Sequence, residues 1–203
     1  VTGIRSRIGD ITYFVNSVSS IFTSVVLDDT GNLLLLGEST NSARVMQYNE
    51  TTQTWTRKGN VVSGNASFGS FVSMSGNGNV IGFMTTYREA IVYTLVDDNE
   101  WVVLGNPFFC QKSVVGEYDQ GKISISRNGM RVAISTLDEK LTGNSDVCLF
   151  EFSDDRWIQV GDTKSGFHLG ELLKLSGNGE ILVAASGERQ ALNPLVLYRV
   201  ETI

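Results

Sequence analysis

Hydrophobic and polar residues alternate along four short stretches of this chain, and a glycine-containing turn interrupts each stretch. The clearest example is Val72-Ser-Met-Ser-Gly-Asn-Gly-Asn-Val-Ile-Gly-Phe83. Similar stretches begin at Val25, Ile123 and Leu173. Side chains of a β-strand point alternately to its two faces, and a glycine-asparagine pair favours a tight reversal of the chain. The pattern therefore predicts four β-hairpins.

The hairpins recur at a regular interval along the chain. The turn glycines are Gly31, Gly78, Gly129 and Gly179, which lie 47, 51 and 50 residues apart. A second pattern, Trp-x-x-x-Gly, recurs at similar intervals of 46 and 56 residues and begins at Trp55, Trp101 and Trp157. A period of roughly 20–50 residues is typical of repeat architectures, in which each unit buries its apolar face against the next one.

Each repeat is predicted to contain four antiparallel strands, with the tryptophan on the last of them. The predicted strands of the first two repeats are 23–28, 32–38, 43–48 and 54–58, then 70–75, 79–85, 90–96 and 100–104. Those of the last two repeats are 121–126, 130–136, 146–152 and 156–160, then 171–176, 180–185 and 195–200. Helical spacing of apolar residues is not sustained anywhere, so we predict no helix longer than a turn.

The fourth repeat lacks a last strand, and the start of the chain offers one. The segment Ile4-Arg-Ser-Arg-Ile-Gly9 resembles that strand, with Arg5 at the tryptophan position and Gly9 placed 50 residues before Gly59. We therefore predict an all-β protein of four four-stranded antiparallel sheets, arranged as pseudo-fourfold propeller-like blades and closed by the N-terminal strand completing the last blade. The predicted single domain, 1–203, contains repeats at about 11–60, 61–106, 107–162, and 163–203 plus 1–10.

The repeats resemble β-propeller repeats of the FG-GAP-like kind. Phe68-Gly69 and Leu169-Gly170 carry the Phe-Gly element, and Tyr93 and Tyr198 the tyrosine of the third strand. Kelch repeats have a similar length, but their paired glycines are absent. Integrin-like members of the FG-GAP group carry calcium loops, from which this sequence departs because only the turn at Asp28-Asp29 offers a carboxylate pair. The repeats also look like those of diatom proteins, including pyrenoid shell proteins, which implies a chloroplast stroma.

Composition and charge exclude several functional classes. The chain has 203 residues, of which 41% are hydrophobic and 19% charged, and this is typical of a globular domain. A net charge of −6, without any basic run, argues against nucleic acid and against an anionic membrane surface. Uninterrupted apolar runs such as Leu33–Leu36 are far shorter than the roughly 20 residues of a membrane-spanning helix. Because the chain begins at Val1, we interpret it as processed or trimmed.

Candidate catalytic chemistry is sparse, and we predict no enzymatic activity, no cofactor and no metal site. His168 is the only histidine, too few for a zinc site or for the base and partners of a catalytic triad. Pairs of aspartates occur at Asp97-Asp98 and Asp154-Asp155, at equivalent points of two repeats. Aspartate is favoured in turns, where its side chain binds nearby backbone groups, so we interpret both pairs as turn formers.

Cys110 and Cys148 are the only cysteines. Two cysteines are too few for a disulfide framework, and nothing in the sequence places them together. We therefore expect two buried or half-buried free thiols, which mildly favours a reducing compartment.

Two features remain as candidates for binding. The three tryptophans could line a carbohydrate or peptide surface, although their periodicity favours packing between blades. The segments 10–21 and 106–115 are long and apolar, and they either fold onto the core or present a self-association patch. The residues of this predicted patch are Tyr13, Phe14, Val15, Phe108 and Phe109.

We predict a non-enzymatic structural protein that self-associates into a layer, shell or large assembly, so that its partner is itself or another protein. The alternative is a binding module for a peptide or glycan, possibly a fragment of a longer propeller. Its site would lie in the loops 137–146 and 187–194.

Overall fold

The computed structural model describes residues 21–64, 68–85, 87–110, 121–137, 143–187 and 195–200. Within these ranges the chain forms fifteen β-strands and no helix. Strands β1–β4 are Phe22–Leu27, Leu33–Glu38, Ser42–Asn49 and Thr54–Ser63, and β5–β8 are Val72–Met74, Val80–Met84, Ala90–Val96 and Glu100–Val103. Strands β9–β12 are Gly121–Ile125, Arg131–Leu137, Asn144–Ser153 and Arg156–Phe167, and β13–β15 are Leu172–Leu175, Ile181–Ala185 and Leu195–Arg199.

The strands form four antiparallel sheets, here called blades 1 to 4, and the strand order in each sheet follows the chain. Blades 1, 2 and 3 have four strands, and the described residues of blade 4 form three. The predicted all-β arrangement of four propeller-like blades is therefore confirmed. The closing strand predicted at Ile4–Gly9 lies outside the described residues, as do Tyr13, Phe14 and Val15.

The blades pack face to face, because each strand is apolar on the side that meets a neighbouring sheet. Leu35 of blade 1 and Phe83 of blade 2 share one buried cluster. Val92 of blade 2 and Ile134 of blade 3 share a second, and a third cluster joins Leu149 to Leu182 of blade 4. The first strands of successive blades, β1, β5, β9 and β13, contact one another around the hub.

The turn between the first two strands explains the Ser-x-Asn-Gly pattern. In blade 2, the hydroxyl of Ser75 accepts a hydrogen bond of 3.0 Å from the backbone N–H of Val80, five residues later. Ser126 and Ser176 make the same bond in their blades, and a carboxylate oxygen of Asp28 replaces the hydroxyl in blade 1. Gly78 has a φ of 72°, a conformation that glycine adopts without steric cost.

Two outer strands are longer than predicted. Strand β4 continues to Ser63 and β12 to Phe167, whereas the sequence predicted ends at 58 and 160. Each strand passes through a glycine in the left-handed conformation, Gly59 with φ 77° and Gly161 with φ 70°, where its register with the partner strand shifts. Such a β-bulge lets a strand bend and resume pairing, so the glycine that resembled a strand end is an internal bend.

The expectation of two free thiols is wrong. Cys110, which follows β8, forms a disulfide with Cys148 of β11, and their Cα atoms are 5.9 Å apart. The two residues are 38 positions apart in sequence, and only the packing of blade 2 against blade 3 brings them together. The argument for a reducing compartment therefore loses its basis.

Candidate functional site

Exposed apolar side chains cluster in the first and the last blade. Half of the exposed large apolar side chains among the described residues lie in β1 with the residue before it, or in blade 4. In β1, Val25 and Leu27 are 63% and 56% exposed and point to the same side of the strand. Val26 between them packs toward blade 2. The blade 1 face is the exposed surface of Ile21, Phe22, Val25 and Leu27.

Blade 4 has apolar residues on both sides of its sheet. Leu175, Leu182 and Tyr198 are paired across the three strands and pack toward blade 3. On the opposite side, Leu195 and Leu197 are 58% and 63% exposed. The blade 4 face is the exposed surface of Leu172, Ile181, Leu195 and Leu197. An exposed contiguous apolar surface of this kind is typical of a protein contact site.

Hydrogen bonds between the hub turns link the blades in chain order. The backbone N–H of Asp29 donates to Gly76, that of Gly76 to Arg127, and that of Arg127 to Gly177, at 3.0, 3.0 and 2.8 Å. Within the described ranges, no hydrogen bond continues from the Gly177 turn back to the Asp29 turn. Among the described residues the hub turns are therefore linked in the order of the chain, from blade 1, the first, to blade 4, the last.

A cavity of about 500 Å³ lies at the hub between the first strands of the four blades. Its polar side chains are Ser24, Lys122, Glu171 and Lys174, and the ammonium of Lys122 lies 3.6 Å from the ring centre of Phe71. Leu195 of the blade 4 face also lines it. The cavity thus combines two cations and one carboxylate with an apolar wall, a combination suited to an extended peptide or a small polar ligand.

His168 and Glu171 hold the chain at the entry to blade 4. Nδ1 of His168 lies 2.5 Å from Oε1 of Glu171, and Oε2 of the same carboxylate accepts a hydrogen bond from the backbone N–H of Gly187. This arrangement ties the loop before β13 to the end of β14. The contacts of the imidazole are those of a side chain that fixes a loop.

The other candidate acidic groups also have structural partners. Asp97, Asp98, Asp154 and Asp155 occupy hairpin turns with φ between 48° and 60°, the conformation that a tight hairpin turn requires. Asp29, in the turn between β1 and β2, forms an ion pair of 2.6 Å with Arg127, in the turn between β9 and β10 of blade 3. Among the residues that the structure describes, no three His, Cys, Asp or Glu side chains form a group that could hold a metal ion.

One carboxyl group and two phenol groups have shifted pKa values. Burial raises the pKa of Asp28, but hydrogen bonds from the Thr30 hydroxyl and from the backbone of Leu33, Thr30 and Asn32 outweigh it and hold the pKa below the usual value of 3.8. Burial raises the pKa of the Tyr93 and Tyr198 phenols above their usual 10.0. Neither shift produces a general acid or base near neutral pH.

The tryptophans predicted to pack between blades lie on the outer strands. The indole N–H of Trp101 donates to the Lys58 carbonyl of blade 1, and that of Trp157 to the Leu104 carbonyl after β8, at 3.1 and 2.8 Å. Trp55 packs in a small buried cluster with Leu34, Leu36 and Met46 of its own blade.

The structure divides the second segment of the predicted self-association patch. Phe108 is 4% exposed and packs against Phe150 and Trp157 of blade 3. Phe109 is 55% exposed. Phe108 pairs with Ala90 in a short β-bridge, and successive residues of an extended backbone point to opposite sides. Phe108 is therefore a core residue and cannot form part of a surface patch in this conformation.

Sequence reasoning missed the two end faces, although a signal was present. In Leu195-Val-Leu-Tyr198 four apolar residues follow one another without alternation. Such a run is typical of a strand covered on both sides. In this structure one side of β15 packs toward blade 3 and the other stays exposed.

The described residues contain no helix of the length and apolarity needed to cross a membrane.

No protein-family model and no curated protein sequence matches this chain. Solved structures do match. The β-propeller domain of Cps50 (Swd1) from Myceliophteria thermophila is 12% identical, with a TM-score of 0.59 over 90% of this chain and 54% of that one. A putative 6-phosphogluconolactonase from Bacteroides uniformis is 13% identical, with a TM-score of 0.61 over 95% and 59% of the two chains. A Lactobacillus plantarum protein is 13% identical, with a TM-score of 0.62 over 89% and 51%.

These similarities support the propeller fold and extend no further, because the identities are too low to carry an activity. The chain spans between 51% and 59% of the length of the three structures. The four blades therefore correspond to somewhat more than half of those chains. The more specific likeness to FG-GAP repeats and to diatom shell proteins receives no support from these matches.

Proposed function

We propose that this chain is a non-enzymatic propeller module that binds protein, and that its first partner is a second copy of itself. The observation that carries the proposal is the exposure of Leu195, Leu197, Val25 and Leu27 at opposite ends of the blade series. Apolar side chains on adjacent strands of one sheet are favourable contact sites because their burial releases about 25 cal/mol per Å².

The two faces are different surfaces, and this determines the geometry of the association. Contact between the blade 1 face of one copy and the blade 4 face of the next is heterologous, because different patches meet. Repetition of such a contact gives a closed ring or an open filament, according to the rotation between copies. A layer or shell, as the repeats of diatom proteins suggest, would need further contacts, and Phe109 is an exposed candidate.

Light scattering coupled to size-exclusion chromatography tests this proposal at high micromolar concentration. We expect the wild-type chain to associate, and Leu195→Glu with Leu197→Glu to be monomeric. The same result is expected for Val25→Glu with Leu27→Glu. Val103→Glu is the matched control, since Val103 is 48% exposed but lies on β8, away from both faces.

A mixing experiment then tests the heterologous contact. The two double variants each retain one intact face, so their mixture should form a dimer joined by the two wild-type faces. A wild-type chain that stays monomeric would contradict the proposal, and so would loss of association in Val103→Glu to the same extent.

The hub cavity supports a second candidate function, the binding of a peptide or glycan. Lys122, Lys174 and Glu171 provide polar contacts beside an apolar wall. Lys122→Ala should then abolish binding in a peptide or glycan array without changing the association state. A positive array result that depends on Lys122, with a monomeric protein, would favour this function over self-association.

A further inference from the structure

The turn between β3 and β4 of blade 1 is longer than its equivalents in blades 2 and 3. Asn49 pairs with Thr54, so four residues make the turn. The equivalent turn has three residues in blade 2, and in blade 3 it consists of the pair Asp154-Asp155. Two residues suffice to reverse the chain in a β-hairpin. The turn of blade 1 thus contains residues that the reversal itself does not require.

This longer turn contains an acceptor pattern for N-linked glycosylation. Asn49-Glu-Thr51 consists of an asparagine, a residue other than proline and a threonine. In the blade 2 turn, Asn99 is followed two residues later by Trp101, and the blade 3 turn has no asparagine. Among these three turns, the pattern therefore occurs only in the one that is longer than a hairpin needs.

The turn orients the Asn49 side chain so that its amide nitrogen is left over. Oδ1 of Asn49 accepts hydrogen bonds from the backbone N–H groups of Thr51 and Thr52, at 2.9 and 3.1 Å. Such an Asx turn holds the carbonyl oxygen of the amide against the backbone. Among the residues that the structure describes, no group accepts a hydrogen bond from Nδ2 of Asn49. The atom to which a glycan is attached is therefore unoccupied.

The threonine of the pattern is also accessible. Residues 49–53 are all exposed. The hydroxyl of Thr52 lies 2.7 Å from that of Thr54, whereas the hydroxyl of Thr51 has no such partner in the described part of the chain. The two groups that define the acceptor pattern, the amide and the hydroxyl two residues later, are thus both presented to an enzyme at the surface.

The disulfide between Cys110 and Cys148 is a second and independent observation. Both cysteines are buried, at 5% and 1% exposure, in the cluster that joins blades 2 and 3. Disulfides form and persist in the lumen of the endoplasmic reticulum and in secreted proteins, and they are rare where thiols are kept reduced. The N-linked glycan is a modification of surface loops in secreted proteins. The turn and the disulfide therefore fit the same compartment.

We propose that Asn49 carries an N-linked glycan, transferred from a lipid-linked oligosaccharide pyrophosphate in the compartment where the disulfide forms. Nδ2 of Asn49 forms a bond to the anomeric carbon of the first sugar and loses one proton. The bond between that carbon and the pyrophosphate oxygen breaks, and the lipid pyrophosphate leaves with the electron pair. The transfer involves no oxidation or reduction.

The glycan site lies apart from the surface that blade 1 offers for self-association. The blade 1 face is on β1, and β2 lies between β1 and β3, so the two strands are about 10 Å apart. Asn49 is the last residue of β3, and a glycan there extends from the end of the sheet. A glycan is bulky and hydrated, but at this position it leaves the flat side of the blade free. The two proposals can therefore fail separately.

Mass spectrometry of the protein from its natural source tests the proposal. Trypsin cleaves after Arg44 and Arg57, which gives a peptide, 45–57, with Asn49 as its only asparagine. We expect this peptide to carry an N-linked glycan. Peptide-N-glycosidase F should remove the glycan and convert Asn49 into aspartate. Recovery of the peptide only in its unmodified form would overturn the proposal.

Variants of the 203-residue chain, secreted from eukaryotic cells through a cleavable signal, test recognition of the turn. Thr51→Ala removes the hydroxyl of the pattern and should abolish the glycan on peptide 45–57, whereas Thr51→Ser should retain it. Thr52→Ala is the matched control, because Thr52 is exposed and adjacent but lies outside the pattern. It should leave the glycan in place. A glycan that persists in Thr51→Ala, or an equal loss in Thr52→Ala, would contradict the proposal.

A further variant separates the modification from the fold. Asn49→Asp keeps the oxygen that accepts the two turn hydrogen bonds and removes the amide nitrogen. It should be secreted with the tryptophan fluorescence of the wild-type chain and without a glycan on this peptide. The other acceptor pattern, Asn65-Ala-Ser67, lies outside the described residues and on a different tryptic peptide. A secreted wild-type chain with a glycan at Asn65 and none at Asn49 would also overturn the proposal.

Discussion

Blades 2 and 3 have a neighbour on each side, whereas blades 1 and 4 leave part of one apolar side exposed. In blade 2, Phe83 packs toward blade 1 and Val92 toward blade 3, and neither is more than 1% exposed. In blade 4, Leu182 packs toward blade 3, but Leu197 is 63% exposed. The sheets have the same strand order and turn chemistry, so the environment of a blade face is decided by its neighbour.

Replacing one buried and one exposed apolar residue by alanine should give the largest difference in the free energy of unfolding. Phe83→Ala should lower the free energy of unfolding by about 3–5 kcal/mol, because it leaves a cavity in a packed core. Leu197→Ala should change it by about 0.5 kcal/mol or less. Unfolding in guanidinium chloride, followed by tryptophan fluorescence, measures both. Similar losses in the two variants would mean that the blade 4 face is covered in solution.

The disulfide should stabilise the contact between the two interior blades. Closing a loop of 38 residues restricts the unfolded chain, and the expected contribution is about 2–4 kcal/mol. Cys110→Ala with Cys148→Ala should lower the free energy of unfolding by that amount. Addition of a phosphine reductant should have no effect on the double variant. An unchanged unfolding midpoint of the reduced wild-type chain would contradict this prediction.

A smaller difference in the free energy of unfolding is expected between two equivalent positions, a buried serine at an interior blade contact and a lysine in the last blade. The hydroxyl of Ser124 in blade 3 accepts the backbone N–H of Leu175 in blade 4 at 2.9 Å. Ser124→Ala leaves that buried N–H without its acceptor, and the expected loss is about 1–3 kcal/mol. Lys174 occupies the equivalent position in blade 4, where Lys174→Ala should cost about 0.5 kcal/mol or less. Faster hydrogen exchange of the Leu175 amide in Ser124→Ala would locate the effect.

The smallest effect is expected from the pH response of the first blade turn. Hydrogen bonds hold the pKa of Asp28 below its usual 3.8, so its stabilising contribution is present above that value and is lost as the pH falls through the folded-state pKa. Asp28→Ser installs the residue found in the other three turns and should remove this acid dependence. Unfolding midpoints compared between pH 5 and pH 3 test it. If the unfolding midpoint falls equally in both chains between pH 5 and pH 3, the acid dependence comes from other carboxylates.

Much of the candidate chemistry could be judged from the sequence, because turn formation is local. The Asp97-Asp98 and Asp154-Asp155 pairs lie in hairpin turns, as their position in the repeat predicted. The two end faces could not be found in this way. Leu195 and Leu182 belong to the same apolar pattern, and only the arrangement of neighbouring sheets makes one exposed and the other buried.

The amino-acid sequence alone determined the strands, the hub turns and the period, because these depend on residues within a few positions of each other. The hydrogen bond from the Val80 N–H to the Ser75 hydroxyl joins residues five positions apart. Its equivalent occurs in every blade, with a carboxylate oxygen of Asp28 as the acceptor in blade 1. The tertiary structure alone decided the disulfide and the exposure of Leu195 beside the buried Leu182. These depend on contacts between separate blades, and no local pattern records which surface a neighbouring sheet will cover.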